Sequence, residues 1–177
     1  LSGDGNSLII GSPQKQGGYV QVYKYNGDSD GSGKWKPKGE KITAEAGKDF
    51  FGFAADISDD GKIIAIGAYG RDKPAVYEGG TRTAKKIANT GSVKLYELDG
   101  NENWVPIGAE LFPNEAQRSD NFGYSVSLSS DGTYVAIGGR YHDVGGHGIG
   151  RKRQHGQDQS EEDEVSHRNR GYLLLAH

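Results

Sequence analysis

The fold is decided by residues 51–68, which read FGFAADISDDGKIIAIGA, because the pattern returns 71 residues later as FGYSVSLSSDGTYVAIGG at 122–139. A third copy begins at the head of the chain, where residues 2–11 match residues 58–67 at a shift of 56. Several short motifs that recur in the same order are the signature of a repeat architecture. We therefore treat the chain as an array of structural repeats.

Two further segments repeat at their own offsets. Residues 18–27 match residues 91–100 at a shift of 73, and residues 35–42 match residues 104–111 at a shift of 69. Because the offsets change only between matched segments, insertions are confined to the connections, as expected when strands are fixed and loops vary. The largest insertion adds 17 residues around 72–89.

The first two strands of each repeat are indicated by the spacing of apolar residues. Residues 122–128 alternate bulky with small side chains, which is the period of a β-strand, and 51–57 repeat the pattern. An Asp-Gly pair then turns the chain. The second strand, 63–66 or 134–137, is apolar on both faces, so we expect other layers to pack on either side of it.

The last two strands complete the repeat. The third alternates apolar Val93 and Leu95 with polar neighbours, and the fourth spans about 104–111. Pro37 and Pro106 place the fourth strand at an edge, since proline cannot donate to a sheet ladder. Four strands that repeat every 55 to 70 residues favour a propeller blade over a sandwich-like or irregular stack of sheets.

The predicted fold is all-β, a partial β-propeller of four-stranded antiparallel blades with one complete blade flanked by two incomplete ones. We expect the chain to be a fragment of a longer propeller. The boundaries are 1–50 for an incomplete repeat with strands two to four, 51–121 for the complete repeat with its insertion at 72–89, 122–150 for an incomplete repeat with strands one and two, and 151–177 for a charged tail.

Composition restricts the possible functions. Only 33% of the residues are hydrophobic, and the mean hydropathy of -0.73 argues against one large core. The net charge of -3 supplies no basic field for a nucleic acid. The apolar runs are far shorter than the roughly 20 residues of a membrane-spanning helix, and the absence of cysteine removes disulfides and thiolate metal sites.

The repeated motifs resemble a known family. Phe-Gly at 51–52 and 122–123, followed by Gly-Ala at 67–68 and Gly-Gly at 138–139, resembles the FG-GAP repeat of integrin α-subunit-like β-propellers. In the first repeat, which lacks its first strand, Gly-Ser-Pro at 11–13 is what remains of the same motif. The resemblance implies a propeller, an extracellular or cell-surface location, and a binding role.

The sequence departs from this family at two kinds of position. Tyr69 and Arg140 replace the proline of the family motif. Some FG-GAP repeats bind calcium through Asp-x-Asp-x-Asp-Gly-x-x-Asp, in which oxygen ligands surround the ion. The equivalent positions here are Asp56, Ser58, Asp60 and Ile64, and Ser127, Ser129, Asp131 and Val135. Aliphatic side chains replace the closing carboxylate, so a plain hairpin turn is favoured over a calcium site.

Other candidate residues are weighed against simpler interpretations. His142, Asp143 and His147 could bring two imidazoles and a carboxylate to a metal, but they match nothing in the other repeats, which favours an ordinary loop. Trp35 and Trp104 could stack on a sugar ring, although their identical place in two repeats favours packing between blades. The sequence therefore predicts no catalytic, cofactor-binding or metal-binding residue.

Two segments lie outside the matched repeats. Residues 72–89 and 151–170 carry few apolar side chains, so we expect both to be mobile, and the tail to be disordered. The third repeat also lacks an evident third strand beyond 146–148. Strands such as 134–137 would then have unpaired edges, which predicts self-association.

We expect a non-catalytic binding or adhesion scaffold that binds a protein or glycan through its loops, with no nucleic-acid partner and no membrane insertion. The alternative is the propeller portion of a secreted hydrolase or lyase whose active site lies outside this chain. Extracellular or surface placement follows from the resemblance alone.

Overall fold

The computed structural model describes residues 1–14, 17–27, 33–45, 47, 49–114 and 116–141, and the backbone of 171–175. All regular structure in this part is β-strand, which confirms the all-β prediction, and no helix there could span a membrane. The strands are β1 Ser7–Ser12, β2 Tyr19–Asn26, β3 Lys34–Pro37, β4 Ile42–Thr43, β5 Ala54–Ile57, β6 Ile63–Ala68, β7 Val76–Glu78, β8 Thr81–Ala84, β9 Ser92–Leu98, β10 Trp104–Leu111, β11 Phe122–Leu128, β12 Tyr134–Gly139 and β13 Gly171–Leu175.

Three antiparallel sheets follow the three repeats. The first sheet has the order β1-β2-β3, with β4 also paired to β2. The second sheet has the order β10-β9-β6-β5 and contains all four strands of the complete repeat. The third sheet has the order β11-β12-β13. Two four-stranded sheets followed by one of three described strands are consistent with the predicted partial propeller blades.

The second strand of the complete repeat is buried on both faces, which confirms the expectation from its apolar pattern. Ile64 and Ile66 pack with Val20 and Val22 of the first sheet. The intervening Ala65 points the other way, into a cluster with residues of the third sheet. The side chains of Ile64, Ala65 and Ile66 have no exposed surface. The second sheet is therefore the middle layer of a stack, and its two faces form two separate cores.

Glycines of the repeated motif lie where neighbouring sheets come closest. A Cβ atom on Gly11 would lie 1.9 Å from the carbonyl oxygen of Gly52, and one on Gly67 would lie 2.1 Å from that of Gly123. No side chain fits at either contact. The glycine at the end of the second strand in one repeat thus packs directly against the Phe-Gly backbone of the next repeat. This contact explains why the two halves of the motif recur together.

Strand β13 corrects the prediction for the end of the chain. Residues 171–175 belong to the stretch assigned to the charged tail, yet they pair with β12 in register from Gly171 opposite Gly138 to Leu175 opposite Tyr134. A strand forms here because Gly-Tyr-Leu-Leu-Leu supplies an apolar run that the polar stretch before it lacks. The third repeat therefore has a third strand, and β12 is paired on both sides rather than left with a free edge. The tail prediction for 151–170 lies outside the described residues.

The insertion at 72–89 forms a hairpin arm of β7 and β8. Its base is held by reciprocal main-chain bonds between Lys73 and Ile87, of 2.9 and 3.0 Å. Asp72 closes the base, since it accepts the amide of Asn89 at 2.8 Å and pairs with Lys86 at 2.8 Å. Every residue of both strands is exposed. The insertion is an ordered arm at its base, with both faces of its strands in solvent.

Candidate binding surface

The two turns compared with calcium loops, at 58–63 and 129–134, have the same structure as the equivalent turn at 2–7. In each, the serine hydroxyl donates to the aspartate Oδ1 over 2.6, 2.7 and 2.6 Å. The same carboxylate accepts the amide that follows the glycine, at 2.9, 3.0 and 2.9 Å. These bonds lower the pKa of all three aspartates, to about 2 for Asp131. The carboxylates stabilise the turn by binding their own backbone.

The remaining carboxylate of the calcium pattern joins two sheets. Asp56 accepts the amide of Leu128 in the third sheet at 2.7 Å through one oxygen and the amide of Ile57 at 2.9 Å through the other. The turns also bind each other, since the amide of Asp59 donates to the carbonyl of Ser130 at 2.9 Å. Among the described residues no group of three acidic or histidine side chains is placed to hold a metal. His142, Asp143 and His147 lie outside the described residues.

The two tryptophans differ in exposure. Trp104 packs against the core between the first and second sheets and donates its indole N–H to the carbonyl of Lys38 at 3.0 Å. Trp35 is 41% exposed and lies 5.3 Å from the Tyr25 ring, centroid to centroid. Trp104 therefore takes the packing role that the repeat pattern favours.

A cluster of aromatic rings lies where the first strands begin and the second strand ends. We call Phe50, Phe53, Tyr69 and Tyr124 the aromatic platform. Phe50 stacks on Tyr69 with 4.7 Å between centroids and 9° between planes, and Phe53 meets Tyr69 edge-on at 4.7 Å. Tyr124 of the third sheet is 4.8 Å from Phe53. The Phe53 side chain remains 40% exposed, so the platform offers an open ring surface.

Two equivalent turns place these rings. The amide of Phe53 donates to the carbonyl of Phe50 at 3.1 Å, and that of Tyr124 donates to the carbonyl of Asn121 at 3.2 Å. Phe50 and Asn121 both have a positive φ, of 54° and 55°. The turn sends Phe51 into the core and leaves its two aromatic neighbours at the surface.

Arg140 and Tyr141 extend the platform along the third sheet. The guanidinium carbon of Arg140 lies 5.7 Å from the centroid of the Tyr124 ring and 5.0 Å from that of Tyr141, both within cation–π range. Arg140 is exposed, and Tyr141 is 61% exposed. A cation thus sits over aromatic rings at the edge of the platform.

An ion cluster around Arg71 fixes the loops that carry the platform. The guanidinium binds both carboxylate oxygens of Glu110, at 3.1 and 3.2 Å, and Asp49 at 3.0 Å. Asp49 immediately precedes Phe50, and Arg71 follows Tyr69 by two residues. Lys94 and Glu45 form a further ion pair beside it. The cluster therefore holds both chain segments from which the stacked rings project.

Burial and charge act in opposite directions within this cluster. Burial raises the pKa of Asp49, although Arg71 opposes the shift. Burial also disfavours the charge of Arg71, but Glu110 and Asp49 outweigh it, and its pKa is raised. Tyr96 nearby has its pKa raised to about 12, mainly by burial and then by Glu45 and Glu110. The positive charge of Arg71 therefore offsets the cost of partly burying the carboxylates of Asp49 and Glu110.

The platform was not among the sites predicted from the sequence. Tyr69 and Arg140 were noted only as departures from the proline of the family motif, and they occupy equivalent repeat positions. Phe53 and Tyr124 are likewise equivalent, two residues after each motif phenylalanine. The sequence did contain one signal for this surface. Both of these repeat positions carry a bulky side chain in two successive repeats.

Comparison with known families agrees with the repeat pattern. Residues 108–151 match the model of a family described as FG-GAP repeat. The match begins in β10 and covers β11 and β12, which carry the Phe-Gly and Gly-Gly halves of the motif. A search of curated proteins finds no match.

Proposed function

We propose that the chain, which matches an FG-GAP repeat at residues 108–151 and whose antiparallel sheets are consistent with propeller blades, is a non-catalytic binding scaffold acting outside the cell or at its surface. The observation that carries the proposal is the aromatic platform, an exposed ring surface on rigid turns. Tyrosine, phenylalanine and arginine are enriched at the centres of protein interfaces and dominate their energetics.

Rigidity supports a binding role for this surface. The platform spans two sheets, and the bond from Asn121 Nδ2 to the Tyr69 carbonyl, of 3.2 Å, links their loops. Preformed surfaces lose little conformational entropy on binding. The scaffold would thus present the rings in the geometry that a partner meets.

The test is a binding screen of the full chain against panels of displayed peptides and of glycans. Partners found in the screen are titrated against Phe53→Ser and against Tyr77→Ser, which removes an exposed ring from the hairpin arm instead. We expect Phe53→Ser to weaken binding about tenfold or more, the size of an interface hot spot, and Tyr77→Ser to leave it unchanged. Partners that bind Phe53→Ser as tightly as the wild type, or hydrolysis of a panel member by the chain, would contradict the proposal.

A further inference from the structure

We propose that the aromatic platform and Arg140 together recognise an acidic segment of a partner protein, in which a carboxylate side chain lies beside an apolar or aromatic one. The inference rests on the proposed function and specifies its ligand. It joins two observations, a cation without a carboxylate and an exposed ring beside it.

Among the described residues no carboxylate lies within ion-pair distance of Arg140, so we treat its guanidinium as available to a ligand. Arg71, Lys86, Lys94 and Lys62 each have a carboxylate within ion-pair distance, whereas Arg140 has none among the described residues. Its guanidinium instead lies over the rings of Tyr124 and Tyr141. Stacking uses the face of a guanidinium and leaves its N–H groups pointing outward in the plane. Those donors match the two oxygens of a carboxylate, which they bind in a bidentate manner.

The apolar part of the surface lies directly beside this cation. Tyr124 lies within range of the Arg140 guanidinium on one side and 4.8 Å from Phe53 on the other. Phe53 at 40% exposure can cover an apolar side chain of a partner, and burial of apolar surface favours binding. A segment with adjoining acidic and apolar residues can therefore contact the Arg140 guanidinium and the Phe53 ring at the same time.

Charge around the platform favours an anionic segment at the Arg140 end only. At the opposite end Asp49 is neutralised by Arg71, whose guanidinium also binds Glu110. The carboxylates of Asp49 and Glu110 are thus already paired and do not repel an incoming acid strongly. Arg140, by contrast, pairs with no carboxylate among the described residues.

A protein segment fits this surface better than a sugar does. A saccharide presents hydroxyls all round its ring, so its sites need several free donors and acceptors near the stacking aromatic. The polar side chains beside the platform are engaged within the protein, as Asn121 binds the Tyr69 carbonyl and Asp49 binds Arg71. What remains is ring surface, three tyrosine hydroxyls and one guanidinium, and tyrosine, phenylalanine and arginine are the residue types enriched in protein interface cores.

The experiment begins with a displayed library of random peptides, selected on the full chain. We expect the selected peptides to share an aspartate or glutamate beside an aromatic or aliphatic residue. One selected peptide and its analogue, with the acid replaced by the amide, are then titrated against wild type, Arg140→Gln, Phe53→Ser and Tyr77→Ser. Near-ultraviolet circular dichroism and the unfolding midpoint verify that each variant is folded.

On the wild type the acidic peptide should bind about tenfold more tightly than its amide analogue, since hydrogen bonds between a guanidinium and a carboxylate are stronger than those to a neutral amide. Arg140→Gln should abolish this preference while still binding both peptides weakly. Phe53→Ser should weaken both peptides, and Tyr77→Ser should change neither. Loss of the preference in Arg140→Gln is a readout that general destabilisation would not produce.

Two results of this experiment would overturn the inference. The first is that the selected peptides contain no aspartate or glutamate, and the second is that Arg140→Gln still prefers the acidic peptide to its amide analogue. A glucuronate oligosaccharide that displaces the peptide and binds more tightly would assign the platform to a glycan, which sinks this inference but leaves the proposed function standing. Failure of every peptide and glycan probe to bind the platform would sink both.

Discussion

Trp104 of the second sheet donates its indole N–H to the main-chain oxygen of Lys38 in the first sheet, over 3.0 Å. The Lys38 side chain crosses in the same region, since its Nζ donates to the carbonyl of Gly61 at 2.6 Å and to the Ser7 hydroxyl at 3.2 Å. Partial burial lowers the pKa of this lysine. The two sheets are therefore joined by specific polar bonds as well as by their apolar core.

Replacing Trp104 by phenylalanine should destabilise the stack. The variant keeps an aromatic ring but removes the bond to the Lys38 carbonyl, and leaving a partly buried acceptor unpaired costs about 1–3 kcal/mol. Trp35→Phe is the matched control, because Trp35 occupies the equivalent repeat position and is 41% exposed. Urea unfolding followed by fluorescence measures both. Equal free-energy losses in the two variants would contradict the assignment of Trp104 to the sheet junction.

Removing the cation of the ion cluster should be costly, and the cost should be recoverable. Arg71→Met leaves Asp49 and Glu110 without their shared partner. Breaking a fully buried pair costs about 3–5 kcal/mol, and we expect less here because the Arg71 side chain keeps 19% exposure. Adding Glu110→Gln to Arg71→Met should restore part of the loss, as a double-mutant cycle would measure. A double variant less stable than Arg71→Met would show that the carboxylates are not in conflict.

Acid should weaken the repeated turns. The pKa values of Asp4, Asp60 and Asp131 are lowered in the fold from the ordinary 3.8, to about 2 for Asp131. A group whose folded pKa is depressed stabilises the fold above its unfolded pKa and loses that contribution as pH falls through the folded value. Stability should therefore fall between about pH 4 and pH 2, and Asp131→Asn should reduce the slope. Unfolding midpoints at a series of pH values measure it, and an unchanged slope in Asp131→Asn would refute the assignment.

The hairpin arm should exchange its amide hydrogens in two classes. The amides of Lys73, Ile87 and Asn89 are hydrogen-bonded at the base, while the tip at Gly79 and Gly80 is exposed. We expect slow exchange at the base and fast exchange at the tip, which refines the prediction that the whole insertion is mobile.

A pair of variants tests how the base of the arm is held. Asp72→Ala removes both the acceptor of the Asn89 amide and the ion pair with Lys86, so it should speed exchange at the base. Lys86→Ala removes only the ion pair, in which Lys86 is 63% exposed, and should have a small effect. Uniformly fast exchange in the wild type, or equal effects of the two variants, would mean that Asp72 does not close the arm.

We expect the chain to self-associate in solution, but not through β12. Ile10 is 45% exposed on the first sheet, whereas the equivalent Ile66 and Ile137 are 0% and 1% exposed. Ile10→Asn should therefore reduce association, while Val76→Asn, at 44% exposure in the hairpin arm, should not. Sedimentation over a range of protein concentrations compares them. A wild type that stays monomeric at all concentrations would contradict the prediction.

The sequence by itself determined the repeat, its strands and its turns, because these depend on local patterns. The period of two in residues 122–128 and the doubly apolar run in 63–66 describe how each strand is buried, and the structure confirms both. The Asp-Gly turns form in all three copies since their serine, aspartate and glycine lie within a few residues of one another. Local hydrogen bonds of this kind need no distant partner.

Tertiary structure alone decided which side chains meet across the sheets. Phe53 and Tyr124 are 71 residues apart and touch only because the glycine contacts bring successive sheets together. Arg71 and Glu110 are distant in the sequence as well, and the antiparallel order of strands in the second sheet brings them together. Strand β13 was missed because a long polar stretch separates it from β12, and the entropy cost of closing a longer connection rises only slowly with its length. The candidate binding surface is built from such distant contacts, and the repeat pattern shows which of its positions are equivalent but not that their side chains touch.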